Sequence, residues 1–147
     1  MSSTPYQTVD AVAVSGYPVI EIPQALAGMA AAADVMTNYV VPFAFQILSL
    51  DFLLTTVVST GSKAATVTLY TGLTGAATAV AGCALALTSA NQNAAGAITL
   101  GPATASAGVT PTTWPAGTNL CLKSTSVTAF TEGAGVFFIR LRNMSAT

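Results

Sequence analysis

The sequence predicts an all-β fold, a single-domain antiparallel β-sandwich preceded by an extended N-terminal arm, and three observations predict it. Apolar residues recur with period two in short runs, as in TVTLYT over 66–71 and GVFFIRLR over 135–142; that period marks a pleated strand with one covered face. The runs follow one another at similar spacing, each closed by Gly, Pro or Asn, which is the rhythm of a sandwich or barrel. At 147 residues the chain has the usual size of one domain and is long enough to bury a core.

Residues 1–30 read as the arm and residues 31–147 as the sandwich. In the arm, Pro5, Pro18 and Pro23 and the short patches VAV and VIEI suit extended chain, because proline withholds a backbone donor and breaks helices. The stretch QALAGMAAAADVM over 24–36 stays open between two readings. Its Ala run and Pro23 favour a short helix, whereas its continuation favours a strand from about Ala33 to Val41. Phe43–Val58 comes next, with Phe43, Phe45 and Ile47 at one parity and Leu48, Leu50, Phe52 and Leu54 at the other. A strand apolar at both parities is expected to be buried on both faces, and here to meet a neighbouring subunit. TGSK over 60–63 turns the chain into Ala64–Gly72, so the two runs read as a β-hairpin with Gly61 supplying the turn. Cys83–Thr88, Ala97–Leu100, Asn119–Ser124 and Gly135–Arg142 are the remaining strands. In the last, Phe137, Ile139 and Leu141 form an inward stripe. Val136, Phe138, Arg140 and Arg142 form an opposite face, greasy at one end and basic at the other. The segments between the strands are loops by composition.

Charge is scarce: four Lys and Arg, five Asp and Glu, net −1, or 6% of the chain, where about a quarter is usual. Ala and Thr predominate instead, so the exterior is expected to be small, neutral and hydroxyl-bearing. Such a surface repels its own copies weakly, and the chain reads as a component of an assembly. Four basic residues make no stripe for phosphates, so no nucleic-acid partner is expected. The greasy run over 39–58 is broken by Pro42, Gln46, Ser49 and Asp51, which argues against a membrane-spanning helix. The N-terminus shows no secretory pattern.

Chemistry-bearing groups are few. Without histidine there is no His-based general base or nucleophile triad, and without a CxxC spacing the usual zinc sites are missing. Asp51 is the one carboxylate inside an apolar strand, and it is expected to bond backbone donors or Lys63. Glu132, in FTEGAG, reads as a turn residue. The expectation is a chain that is no enzyme and uses no cofactor or metal. Trp114, in TTWPAG, is a cap on the core, an interface anchor or a sugar-stacking platform. Arg140 and Arg142 either pair with carboxylates of a partner or form a solvated strand end. Cys83 and Cys121 are two buried small hydrophobes or a disulfide pair.

Three blocks in order, VPFAFQILSLDFLLTTVVSTGSKAATVTLYTG, CALALTSANQNAAGAITLG and WPAGTNLCLKSTSVTAFTEGAGVFFIRLR, resemble a group of small tailed-phage virion proteins. The resemblance spans about residues 34–142, and its motifs are strand residues and turns. It implies a β-sandwich of jelly-roll type on the outside of a phage head: a decoration or cement protein that stabilises contacts between capsomers, often trimeric, with the major capsid protein as partner. Nothing catalytic carries over, and assembly would take place in the host cytoplasm. If the strands are lettered B to I in order, CALALT is E and NLCLKS is H, neighbours in one sheet. That implies Cα atoms of Cys83 and Cys121 roughly 5 to 7 Å apart, as free thiols in a reducing compartment or as a disulfide. The trimer also follows from apolar residues on both faces of Phe43–Val58, with Phe138 beyond them. Phe138, Arg140, Arg142 and Trp114 are the expected interface residues. The alternative function is a carbohydrate- or host-surface-binding module of a head or tail fibre, resting on Trp114 and the tyrosines.

Overall fold

The computed structural model describes residues 17–29, 33–73, 77–100 and 112–145. Its strands are β1 (Val19–Ala25), β2 (Ala33–Val40), β3 (Phe45–Thr56), β4 (Ala64–Thr71), β5 (Thr78–Thr88), β6 (Ile98–Leu100), β7 (Asn119–Thr128) and β8 (Ala134–Asn143). They form two four-stranded sheets, a first with the order β1-β8-β3-β6 and a second with the order β2-β7-β4-β5. All the pairings are antiparallel. The expected all-β antiparallel sandwich is therefore the fold. Among consecutive strands only β4 and β5 are hydrogen-bonded neighbours; each other connection passes from one sheet to the other.

Alternation builds the core. Ile20 and Ile22 from β1, Phe52 and Leu54 from β3, and Phe137, Ile139 and Leu141 from β8 are buried, and they face Val67, Leu69, Leu85, Leu87, Leu120 and Leu122 of the second sheet. The rings of Phe52 and Phe137 lie 4.6 Å apart at their centroids, tilted by 50°, a spacing at which aromatic pairs attract beyond their buried area. Gly135 makes room for them. A Cβ there would overlap the Leu53 carbonyl oxygen and the Phe52 ring, so the close approach of β3 to β8 requires glycine.

Four expectations change at this level. First, VIEIPQA belongs to the sandwich: β1 pairs with β8 from Val19↔Arg140 to Ala25↔Ala134, so the boundary at residue 30 does not hold. Pro23 is tolerated because β1 is an edge strand. Residues 1–16 lie outside the described set. Second, the open stretch after Pro23 divides: Leu26–Gly28 is a single 3-10 turn, and a strand begins at Ala33 as one reading had it.

Third, β3 is not apolar on two faces. Its register on β8 shifts between Ile47 and Ser49, and an extra residue reverses parity. Phe45 and Ile47 before the shift, and Leu50, Phe52 and Leu54 after it, all enter the same core. The part of the trimer expectation built on two greasy faces falls with it. Fourth, TGSK joins strands of different sheets, so it is an arch over the sandwich end and not a hairpin turn; Ser62 takes the left-handed conformation there, at φ 61°.

Candidate interaction surface

Even-numbered residues of β8 point away from the core, and registration with its neighbours assembles the outer face of the first sheet in rows. One row runs Pro23, Val136, Leu53, Ile98 across all four strands. Pro23 is exposed, Val136 and Leu53 are half-buried, and Ile98 is 63% exposed. The next row holds Glu21, Phe138 and Asp51, and beyond it Arg140 stands beside Ser49 and Arg142 beside Gln46. The expected gradient from greasy to basic along β8 is thus present, and three expected residues, Phe138, Arg140 and Arg142, share one surface.

Arg140 organises the middle of this face. Its Nε donates to Asp51 Oδ2 at 3.0 Å, and its guanidinium lies 6.0 Å from the Phe138 ring centroid. Ser49 Oγ donates to the same Asp51 oxygen at 3.0 Å. The Asp51 side chain is 6% exposed while that of Arg140 is 52% exposed. A buried carboxylate is costly unless a cation and hydrogen bonds compensate it. The expected partner Lys63 is therefore replaced by Arg140, which the sequence hides because the two strands meet only in the fold.

Trp114 does not join this face. It forms an isolated bridge with Phe45, with backbone hydrogen bonds of 3.0 and 2.8 Å, and its ring stacks on Phe45 with centroids 5.7 Å apart. It extends the first sheet and caps the core, the blandest of its three readings. On the outer side, Thr113 Oγ1 accepts from Gln46 Nε2 at 3.0 Å.

The two cysteines do not meet. β4 lies between β5 and β7, so Cys83 and Cys121 stand about two strand spacings, or about 10 Å, apart. They also point to opposite sides. Cys83 is on the core face, whereas Cys121 has the parity opposite to the buried Leu120 and Leu122 and its thiol donates to the Gly72 carbonyl at 3.1 Å. Both are buried and neither is in a disulfide. The lettering failed by one strand: with β1 counted, CALALT is the fifth strand, whose bonded neighbour is β4. Burial, with a smaller contribution from Asp51, pushes the Cys83 thiol up to about 12, so it stays protonated at neutral pH.

At one end of the sandwich Glu132 ties two arches together. Its Oε1 accepts from the Ser59 and Thr60 backbone N–H groups at 2.9 and 2.6 Å and from their hydroxyls at 2.8 and 2.7 Å. The side-chain bonds from Thr60 and then Ser59 lead in holding its carboxyl down at about 2. Among the described residues no group of three or more His, Cys, Asp or Glu is placed to hold a metal, and no helix is long and apolar enough to cross a membrane.

The outer face of the second sheet is different in kind. Thr66, Thr68, Ala84 and Ala86 sit in register there, with Lys123 placed 5.2 Å from the Tyr70 ring centroid. It matches the expected neutral, hydroxyl-bearing exterior. Of the residues on the first face, nothing in the sequence marks Glu21, Leu53, Val136 and Ile98 as a set, since only registration across four strands aligns them. No protein-family model and no curated protein matches the chain.

Proposed function

We propose that this chain is a non-enzymatic structural subunit, a decoration protein on the outside of a tailed-phage head that stabilises contacts between capsomers. The observation that carries the reading is the outer face of the first sheet, apolar at one end and basic at the other, on a sandwich whose polar groups serve its own structure. The strand order β1-β8-β3-β6 with β2-β7-β4-β5 supports the jelly-roll form, in which eight strands divide into two such sheets. A Cys83 thiol held near 12 and a Glu132 carboxyl held near 2 are poor proton carriers at neutral pH, which supports a non-enzymatic role. The major capsid protein is the proposed partner, with assembly in the host cytoplasm. The many weak contacts of repeated copies on a shell sum through avidity. Glycan binding, the alternative, needs a free aromatic platform, and Trp114 has one ring face on Phe45.

The test is a reconstruction of particles that carry this chain. Density for the sandwich on the head exterior, between capsomers, is the expected result. Density at the tail alone, or none on the head, overturns the reading.

A further inference from the structure

We propose that the outer face of the first sheet is where a second copy of this chain docks, about a two-fold axis lying in the plane of that face. The proposal concerns copy against copy and does not depend on what the assembly decorates.

Association by strand addition is obstructed at three of the four sheet edges, by devices that natural sheets use against it. At β1, Pro23 has no N–H to offer. β6 presents three described residues, Ile98–Leu100. β2 is broken by two register shifts, with Asn38 in the left-handed region at φ 48°. β5 bends at Gly82, φ 78°, and the Asn91 carboxamide takes its edge groups, donating to the Ala86 carbonyl at 2.9 Å and accepting from the Thr88 N–H at 2.8 Å. Faces remain. Of the two, the second sheet's carries hydroxyls and methyls around the Lys123–Tyr70 pair, with Val40 exposed at one end, while the first presents Leu53, Val136, Phe138 and Ile98 as one patch.

The charges of the first face complement a copy of the same face. Glu21 is exposed and makes no ion pair among the described residues. Among the described residues Arg140 uses only Nε, on Asp51, which leaves four of its five N–H donors. On a flat lattice with strands about 4.8 Å apart and residues about 3.3 Å apart along them, the line from Phe138 to Ile98 crosses the face diagonally from β8 to β6. A half-turn about that line keeps Phe138 and Ile98 on their own symmetry mates and brings Glu21 to within about 3 Å of the lattice position of the mate's Arg140. The same contact repeats in reverse, as a two-fold interface demands. A pair of rings and a pair of isoleucines then close the axis, flanked by two reciprocal ion pairs.

The experiment is sedimentation equilibrium of the purified full chain, with two variants. The wild type is expected at twice the chain mass. Ile98→Lys places like charges against each other on the axis and is expected to weaken the dimer at least tenfold, with an unchanged far-UV spectrum showing that it folds. Ile98→Cys under oxidised glutathione is expected to give a disulfide-linked dimer, each bond oxidising two thiols and reducing one glutathione disulfide. Val57→Cys, 39% exposed just past the C-terminal end of β3 and away from the axis, is expected to stay unlinked. A monomeric or trimeric wild type, an Ile98→Lys dimer of undiminished affinity, or no difference in linkage between the two cysteine variants overturns the proposal. Failure of the chain to appear on phage heads overturns the decoration reading and leaves this one standing.

Discussion

Two of the five carboxylates show how environment divides the work of one chemical group. Asp51 is sunk among strands and held by a single cation, whereas Glu132 is a surface clamp held by four donors from Ser59 and Thr60. The second has a measurable signature. The folded state holds Glu132 at about 2 against an ordinary 4.5, and a depressed carboxyl contributes stability that is whole above the ordinary value and is lost as pH falls through the window between the two. Glu132→Gln is expected to lower the melting temperature at pH 7. The difference from wild type should shrink as pH drops from about 4.5 to 2, because the wild-type carboxylate is then protonated as well. Thermal melts of both proteins across that range check it, and a constant difference would refute the clamp. The sequence showed Glu132 as a turn residue and no more, since its donors lie some seventy residues earlier in the chain. Asp51 is legible in the sequence as a bonded structural acid, but its cation is Arg140 and not Lys63.

Strands were legible where one register governed them. β4 and β8 alternate cleanly, and their buried stripes are legible in the sequence residue for residue. β3 was not, because a bulge at Leu48 converts one inward stripe into what looks, on paper, like two faces. β1 was missed as a strand for a related reason: Pro23 argues against a central strand, and only the edge position of β1 makes it harmless. Edges also carry the prediction at this scale. β5 has no charged residue along its length, so its protection rests on Gly82 and on the Asn91 plug. Asn91→Ala removes three hydrogen bonds, two at the solvated edge and one accepted from the buried Gln92 side chain, a cost of about 1 to 3 kcal/mol. It also bares the Ala86 carbonyl and Thr88 N–H to another chain. The expected outcome is a small drop in melting temperature together with a larger rise in light scattering during the melt. A variant that melts lower without scattering more would mean that the plug stabilises the loop alone.

For the whole molecule, chain order and spatial order are nearly unrelated. With one exception successive strands leave for the opposite sheet, so the first and last strands are bonded neighbours and both termini of the fold close a single sheet. Such pairing across the full sequence is the kind that folds slowly, and it is invisible to local periodicity. That is why the all-β class could be read while the cysteine neighbours could not. It also makes the N-terminal boundary a matter of stability. Ile20 and Ile22 are 1% and 3% exposed, Leu26 is fully buried, and the Leu26 N–H donates to the Gly133 carbonyl at 2.9 Å. Losing a buried isoleucine costs about 2 to 5 kcal/mol, against a total of about 5 to 15 for a domain. A chain that begins at Leu26 loses both isoleucines and uncovers the length of β8. It is expected to lose cooperative unfolding, with a shallow thermal transition and a dye-binding core at 25 °C. An extended arm resting on a finished sandwich would behave otherwise, and a truncated chain melting sharply within a few degrees of wild type would restore the boundary near residue 30 and remove β1 from the core.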